Sequence, residues 1–303
     1  MTNLWHSYGK HYALSNINFS VPRASITAVV GPNGAGKSTL FKCLMGLESP
    51  IMGAISIDGT DVIGDPRAIY GKIAYLAEDI GIYDDLTIKQ SLHYAASLHL
   101  MSKEDASQSI YKLTTALAIT DRLDVKLSAL SKGLKQSVAI AQAIIHNPSV
   151  ILLDEPSSGL DPEARHRVIS LFGQLQGNGA TLLISTHVLS EIESYCSDIL
   201  IIKDGRLLKF DDMNQDLPDS TLLKLKMSEG LASTVNMLKS NPNISRIEKI
   251  TGGVQFYFTG NKEQQAELLN HLVAVNATIS SFEVVCKNLQ DKYLASIRKD
   301  KGL

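Results

Sequence analysis

A glycine-rich stretch with one lysine and one serine offers the clearest chemistry in this sequence. Residues 31–38 are Gly-Pro-Asn-Gly-Ala-Gly-Lys-Ser, the spacing G-x-x-x-x-G-K-S of a phosphate-binding loop. Its glycines let the backbone curl so that several N–H groups converge on one anion. Lys37 adds a positive charge for the β- and γ-phosphates of a nucleotide, and Ser38 offers a hydroxyl ligand to Mg²⁺.

The elements on either side of this stretch suit a phosphate loop. Residues 26–30 are apolar and β-branched, as in a buried parallel strand, and residues 39–47 place apolar side chains at helical spacing. A chance match to the loop pattern occurs in roughly one chain of this size in a hundred. The strand–loop–helix context lowers that frequency further, so the sequence predicts a phosphate-binding site.

Two adjacent carboxylates follow another apolar run. Residues 150–153 predict a buried strand, and Asp154 and Glu155 come directly after it. Two acids at a buried strand end are costly unless a cation or water meets them. We expect Asp154 to hold Mg²⁺, directly or through water, and Glu155 to orient and polarise an attacking water.

Other strand ends carry further candidate side chains. Residues 181–185 predict a core strand that brings His187 to its carboxyl end, where ligands of open α/β sheets bind. A single histidine at such a place is more often a hydrogen-bonded surface residue. Residues 73–76 predict a strand that ends close to Glu78, within reach of a triphosphate. Tyr8, upstream of the phosphate loop, faces either the nucleotide or solvent.

The middle of the chain has a helical pattern. We expect a helical subdomain over about 84–147, in which Ser102 and Asp105 have the spacing of a capping box. A glycine turn at residues 130–136 opens another helix and is weak evidence for a second anion site. Asp58-Gly59 and Asp204-Gly205 predict hairpin turns.

A linker predicts a division of the chain into two domains. Acids, Asn, Pro and Ser cluster between residues 211 and 220, and the patterns after them follow the order βαββαβα, with the last helix over about 288–298. We expect a large domain over 1–212 and a small accessory or regulatory α+β domain of ferredoxin-like type over 217–303.

The bulk composition excludes several classes of protein. The 303 residues carry a net charge of −2 and no basic block, so nucleic acid is not an expected partner. The longest apolar runs fall well short of the ~20 residues that a membrane helix needs. The first residues do not have the pattern of a signal peptide. Three cysteines far apart fit reduced thiols in a cytosolic protein.

Taken together and in this order, the motifs of the first 212 residues resemble an ABC transporter ATPase subunit. They are the phosphate loop, residues 130–136, Asp154-Glu155, residues 158–161 and His187. The resemblance implies an α/β fold with a P-loop NTPase core, an antiparallel β subdomain at its edge and a helical subdomain. It also implies ATP hydrolysis, with ATP and Mg²⁺ as cofactors.

The resemblance assigns roles to individual residues. The implied catalytic residues are Lys37, Glu155 and His187, and the implied metal ligands are Ser38, Glu78 and Asp154. The residues implied to bind nucleotide are Tyr8, Gly31, Pro32, Asn33, Gly34, Ala35, Gly36, Lys37, Ser38, Thr39, Ser131, Gly133 and Asp161. In this family the aromatic residue stacks on adenine, and the signature loop, here Ser131 and Gly133, contacts the nucleotide of the opposite subunit. A head-to-tail dimer of two copies, or of this chain and a homologous subunit, is therefore implied.

Several positions depart from the commonest family pattern. Glu78 stands where a glutamine is usual, Lys132 and Leu134 alter the signature, and Ser137 replaces a frequent arginine. Glu78, the L-S-K-G form of residues 130–133 and the C-terminal domain are together similar to subunits of the ABC-2 exporter group. This similarity implies a separate integral membrane permease that docks near residues 78–86 and the helical subdomain. It also implies a place on the cytoplasmic face of the membrane.

Two other function classes stay open. Soluble ABC ATPases that act on ribosomes or DNA usually carry two cassettes in one chain or a long coiled coil before the signature, and neither is present in this sequence. A nucleotide-sensing regulator without catalytic activity is disfavoured by the presence of both Glu155 and His187. The cargo cannot be read from this chain, and the resemblance alone favours export.

Overall fold

The computed structural model describes residues 1–188, 195–212, 220–227, 231–274 and 278–285. The chain divides into two compact units, residues 1–213 and 214–303. In the described ranges, no helix combines the length and the apolar character that a membrane crossing requires.

In its described residues, the first unit contains short strands and five α-helices. Its strands are β1 (Thr2–Tyr8), β2 (His11–Ile17), β3 (Ile26–Val30), β4 (Met52–Ala54), β5 (Ser56–Ile57), β6 (Thr60–Asp61), β7 (Ile73–Leu76), β8 (Val150–Asp154), β9 (Thr181–Thr186), β10 (Asp198–Lys203) and β11 (Arg206–Asp212). Its α-helices are α1 (Lys37–Leu44), α2 (Ile88–Leu98), α3 (Lys103–Ala116), α4 (Lys132–Ile144) and α5 (Pro162–Gly177). Short 3₁₀ turns cover Pro66–Ile69, Thr120–Arg122 and Leu127–Ala129.

A six-stranded sheet forms the centre of the first unit. Its order is β11-β10-β3-β9-β8-β7, and all neighbours are parallel except β10 and β11. Every residue of β3 and β9 is buried, as expected for parallel strands that are covered on both faces. The carboxyl ends of β3, β7, β8 and β9 therefore meet at one edge of the sheet.

A smaller antiparallel sheet, of order β2-β1-β4, lies beside this centre. Its inward side chains, Leu4, Leu14 and Ile17, share one core with Leu40 and Phe41 of α1. The predicted antiparallel edge of the fold is therefore present. Helix α1 begins at Lys37, two residues before the predicted start, because the last residues of the phosphate loop already form its first turn.

Helices α2, α3 and α4 lie in the predicted helical region. Ser102 accepts a hydrogen bond from the Asp105 N–H at 3.0 Å, but the Asp105 carboxylate accepts from the Ser102 hydroxyl and does not return to the cap backbone. The predicted capping box at this place is therefore incomplete, because aspartate is one methylene shorter than glutamate or glutamine. The reciprocal box is instead formed by Thr87 and Gln90 at the start of α2.

The described part of the second unit contains β12 (Ser220–Met227), α6 (Leu231–Ser240), β13 (Ile244–Ile250), β14 (Gly253–Thr259), α7 (Lys262–Ala274) and β15 (Ile279–Val285). The four strands form an antiparallel sheet of order β13-β14-β12-β15. Alternate side chains of β12 and β14 enter one core with Leu238, Leu268 and Leu272 of the two helices. The helix predicted over 288–298 lies outside the described residues.

The turn between β10 and β11 supports the phosphate loop. The Gly205 N–H donates to Ala35 O at 3.1 Å, and the Ser15 N–H donates to Gly205 O at 2.7 Å. Gly205 has φ +72°, and a Cβ at this position would lie 2.6 Å from Ala13 O. This one residue thus joins the central sheet, the antiparallel sheet and the loop, and no other residue type fits there without displacement.

We expect Gly205→Ala to lower the free energy of unfolding by about 2–4 kcal/mol, because left-handed strain and a backbone clash add together. Gly59→Ala is the matched control, since Gly59 also follows an aspartate in a hairpin turn and has φ +80°, but a Cβ there would meet nothing within 4 Å. The control should lose only about 1 kcal/mol. Urea denaturation checks both values, and equal losses would contradict a supporting role for the turn.

Candidate functional site

A cleft of about 540 Å³ lies at the carboxyl ends of the central strands. It collects most of the side chains that the sequence singled out and adds His11 and Ala13. The lining residues are Tyr8, His11, Ala13, Asn33, Gly34, Ala35, Gly36, Lys37, Ser38, Thr39, Glu78, Asp154, Glu155 and His187.

The phosphate loop forms one wall of the cleft. Gly34 and Gly36 have φ +80° and +105°, conformations that glycine adopts without strain. Helix α1 begins directly after Gly36, so its first N–H groups have no partner within the helix and present a positive dipole end. Lys37 Nζ lies 2.8 Å from Gly31 O. The loop thus has the backbone form and the cation that bind a phosphate group.

Gly31 and Pro32 belong to the loop but do not line the cleft. Pro32 O lies 3.3 Å from Lys37 Nζ, so both residues use their carbonyl groups to hold the lysine. A Cβ on Gly31 would lie 2.2 Å from Ile202 O of β10. The glycine is therefore required by close packing of the loop on the central sheet.

Asp154 carries a buried carboxylate in which one oxygen has no hydrogen-bond partner among the described residues. The residue ends β8 and is 1% exposed. Its Oδ1 accepts a hydrogen bond from the Ser185 hydroxyl, whereas its Oδ2 is buried and has no hydrogen-bond partner among the described residues. A buried carboxylate oxygen requires a positive charge or a water. Together with the Ser38 hydroxyl in the same cleft, this oxygen fits the oxygen ligands that Mg²⁺ prefers.

Glu155 and His187 form a pair in the cleft. Glu155 Oε1 lies 2.9 Å from His187 Nδ1. Since a carboxylate only accepts, Nδ1 carries the hydrogen. Glu155 itself has φ +50°, an uncommon conformation for a residue with a side chain. The two predicted catalytic side chains are thus in direct contact, which the spacing in the sequence did not reveal.

Negative charge accumulates at the end of β7. Burial raises the pKa of Tyr75 to about 12, and the charges of Asp154 and Glu78 raise it as well. The Tyr75 phenol therefore stays protonated at physiological pH. Glu78 is exposed in the cleft, which Asp154 and Glu155 also line, so three acids share the cleft with the phosphate loop. A bound polyphosphate would need a cation to balance them.

Tyr8 stands at the rim of the cleft and is held by two residues that sequence reasoning missed. Its hydroxyl donates to Glu48 Oε1 at 3.2 Å, and burial raises the pKa of the phenol. The buried His6 ring contacts the Tyr8 ring edge-on, with 4.8 Å between the centroids. His6 lies two positions before Tyr8 on the same strand face, so a period of two signals this contact. No comparable signal points to Glu48.

Three predicted nucleotide contacts lie away from the cleft. Ser131 caps α4 by accepting the Leu134 N–H at 3.3 Å, and Asp161 caps α5 by accepting the Ala164 N–H at 2.8 Å. A Cβ on Gly133 would lie 3.0 Å from Gly159 O. We call the surface formed by Ser131, Gly133 and Gly159 the signature face. The cleft and the signature face are separate features of one unit.

Known proteins match the part of the chain that carries this cleft. The ABC transporter family model matches residues 14–158. The chain is 30% identical to the ABC transporter ATP-binding protein NatA of Bacillus subtilis (strain 168) over 197 residues. The match covers 65% of this chain and 80% of NatA. The chain belongs to the ABC transporter ATP-binding proteins. It is therefore an ATP-binding ATPase with the P-loop fold of this family.

Other relatives of this ABC ATPase serve different transporters. Nod factor export ATP-binding protein I of Burkholderia orbicola (strain AU 1054) is 32% identical over 67% of each chain. Methionine import ATP-binding protein MetN of Protochlamydia amoebophila (strain UWE25) is 30% identical over 70% of this chain and 64% of MetN. A solved ATP-binding subunit of an ABC transporter is 33% identical with a TM-score of 0.66, over 70% of this chain and 88% of that one.

If Glu48 positions the Tyr8 ring for the nucleotide, Glu48→Gln should raise the KM for ATP about threefold to tenfold and leave kcat unchanged, since it weakens one hydrogen bond. Tyr8→Phe should give the same shift, because it removes the other partner of that bond. Steady-state ATPase assays of both variants and of the double variant measure the energetic coupling between Glu48 and Tyr8. If the increases in KM add up in the double variant, the two residues are not coupled and the prediction is wrong. Asp58→Asn, which lies outside the cleft, is the control.

Proposed function

We propose that this chain hydrolyses ATP with Mg²⁺ in the cleft, as one half of a dimer that drives a separate membrane permease. The observation that carries this proposal is Oδ2 of Asp154, which has no hydrogen-bond partner among the described residues and belongs to a side chain in one cleft with the phosphate loop and the Glu155–His187 pair. A buried acid with an unpartnered oxygen, a polyphosphate loop and a paired base are the parts that phosphoryl transfer to water needs.

Different residues of the cleft bind different parts of the nucleotide. The loop N–H groups from Asn33 to Thr39 and the positive end of α1 hold the phosphates, and Lys37 neutralises part of their charge. Ser38 and Asp154 would hold Mg²⁺, and Glu78, two residues after β7, would add a third oxygen ligand from the same cleft. The bound cation neutralises charge on the β- and γ-phosphates. The Tyr8 ring, held by Glu48 and His6, stacks on the adenine base.

Glu155 and His187 act on the attacking water. The Glu155 carboxylate accepts a hydrogen of this water and orients its oxygen toward the γ-phosphorus. The water oxygen bonds to phosphorus as the bond to the β–γ bridging oxygen breaks, which yields ADP and phosphate. The His187 Nδ1–H holds the Glu155 carboxylate in place through the 2.9 Å contact, and the imidazole reaches the γ-phosphate.

A dimer adds the residues of a signature face to each cleft. Ser131, Gly133 and Asp161 lie outside the cleft of their own chain, so they serve the nucleotide of a second subunit. Head-to-tail pairing of two copies, or of this chain with a homologous subunit, places each signature face opposite the other chain's phosphate loop and creates two nucleotide sites in the interface. Closure on ATP and opening after hydrolysis then supply the movement that a permease uses.

The proposal includes a location for the chain and a direction of transport. The chain acts on the cytoplasmic face of the membrane, and its transporter is an exporter. The glutamate at position 78, the altered signature and the relation to a Nod factor export protein support export, whereas the relation to MetN points to import. ATP-driven uptake of the cargo into inside-out membrane vesicles would support export. Uptake of the cargo into right-side-out vesicles would overturn the assignment as an exporter.

The second unit is an accessory or regulatory domain of ferredoxin-like type over residues 217–303, joined to an ATPase domain over 1–212. The βαββαβ order and the sheet order β13-β14-β12-β15 support this part of the proposal, because a split βαβ unit gives the same arrangement. Regulation would be tested by comparing the ATPase activity of the full chain with that of residues 1–212.

Glu155→Gln should lower ATPase activity at least a hundredfold and leave ATP binding intact, because an amide cannot accept the proton of the water. The variant should then accumulate as a dimer only when Mg²⁺ and ATP are present, as measured by light scattering. Lys37→Ala is the control that should lose ATP affinity and stay monomeric. Rapid turnover by Glu155→Gln would refute the role of Glu155.

A further inference from the structure

One buried hydroxyl connects the two adjacent acids of the cleft. Ser185 lies in β9 directly opposite Asp154 of β8, and it is fully buried. Its hydroxyl donates to Asp154 Oδ1. The Glu155 N–H donates to Ser185 Oγ at 3.0 Å and also approaches Ser185 O at 3.3 Å. A single side chain on the neighbouring strand therefore contacts both carboxylate residues.

The directions of these hydrogen bonds follow from the chemistry of the groups. A hydroxyl has one hydrogen, and the ionised Asp154 carboxylate can only accept it. The Ser185 oxygen then keeps its lone pairs free for the Glu155 N–H. The two bonds point the same way, from the Glu155 amide through the hydroxyl to the carboxylate, so each polarises and strengthens the other.

For Asp154, the contact decides which oxygen is available. Oδ1 is satisfied by Ser185, and Oδ2 is buried without a partner among the described residues. The carboxylate cannot rotate freely, because rotation would break a charge-assisted bond. Ser185 thereby fixes the orientation of the carboxylate and leaves Oδ2 as the oxygen available to a cation in the cleft that Asp154 lines.

For Glu155, the contact restrains the backbone turn after β8. Its φ of +50° is a left-handed conformation that is strained for a residue with a Cβ. The bond from its N–H to Ser185 Oγ helps to hold this turn. The turn directs the carboxylate to His187 Nδ1 at 2.9 Å. A shift of the backbone here would move the carboxylate away from the reacting water.

We propose that Ser185 is a positioning residue of the hydrolytic site, which orients Asp154 toward the cation and Glu155 toward the water. The inference rests on the proposed roles of those two acids. Ser185 does not touch the nucleotide in this arrangement, and Ser185→Ala should therefore affect the cation and the chemical step more than the binding of ATP.

The test compares full-length Ser185→Ala with the wild-type chain. The affinity for Mn²⁺, measured by electron paramagnetic resonance with a non-hydrolysable ATP analogue present, should fall about tenfold, as should kcat, because one bond to a charged group is lost. The KM for ATP should change less than twofold. Ser185→Thr retains a hydroxyl and should restore both properties, whereas Ser185→Cys fills the space with a weak donor and should not.

Thr27→Val is the matched control, because Thr27 is a fully buried residue of β3 whose hydroxyl has no partner among the described residues. Its removal should change neither Mn²⁺ affinity nor kcat. If Ser185→Ala keeps the Mn²⁺ affinity and the kcat of the wild-type chain, the inference is overturned. It is also overturned if Ser185→Cys and Thr27→Val lose Mn²⁺ affinity and kcat equally. If Glu155→Gln turns over normally, the proposed function itself fails. If Glu155→Gln is inactive while Ser185→Ala is normal, only the inference fails.

Discussion

The buried charge of Asp154 is the constraint on which the rest of this site depends. Removing an ionised carboxylate from water costs several kcal/mol unless hydrogen bonds or an opposite charge compensate. Ser185 compensates one oxygen, and the other has no hydrogen-bond partner among the described residues, in a side chain that lines the same cleft as the phosphate loop. This half-satisfied acid is tolerable only at a strand end where a cation can bind, so β8 ends at the cleft and not in the core.

Close backbone packing keeps the phosphate loop opposite that acid. Gly31 packs on Ile202 O with no room for a side chain, and Gly205 donates to Ala35 O while it accepts from Ser15. The central sheet, the antiparallel sheet and α1 are therefore joined around the loop by backbone contacts. Such contacts are rigid because protein interiors are close-packed, and this rigidity preorganises the site for the phosphates.

The sequence predicted the elements of the ATPase unit well because its signals there are local. The phosphate loop, the strand ends and the Asp-Gly turns each depend on a few adjacent residues. The contacts of Ser185 with Asp154 and of Glu48 with Tyr8 join distant segments through strand register and the path of the chain, which no spacing encodes. The local prediction of a capping box at Ser102 was incomplete, because the short Asp105 side chain does not reach the backbone of the cap residue.

We propose that ATP and its cation lie in this cleft against the signature face of a second subunit. The most direct measurement is a crystal structure of Glu155→Gln grown with ATP and Mg²⁺. We expect the cation beside Ser38 and Asp154, and Ser131 and Gly133 of a second copy at the γ-phosphate. A cation remote from Asp154, or a nucleotide with no second copy against it, would contradict the claim.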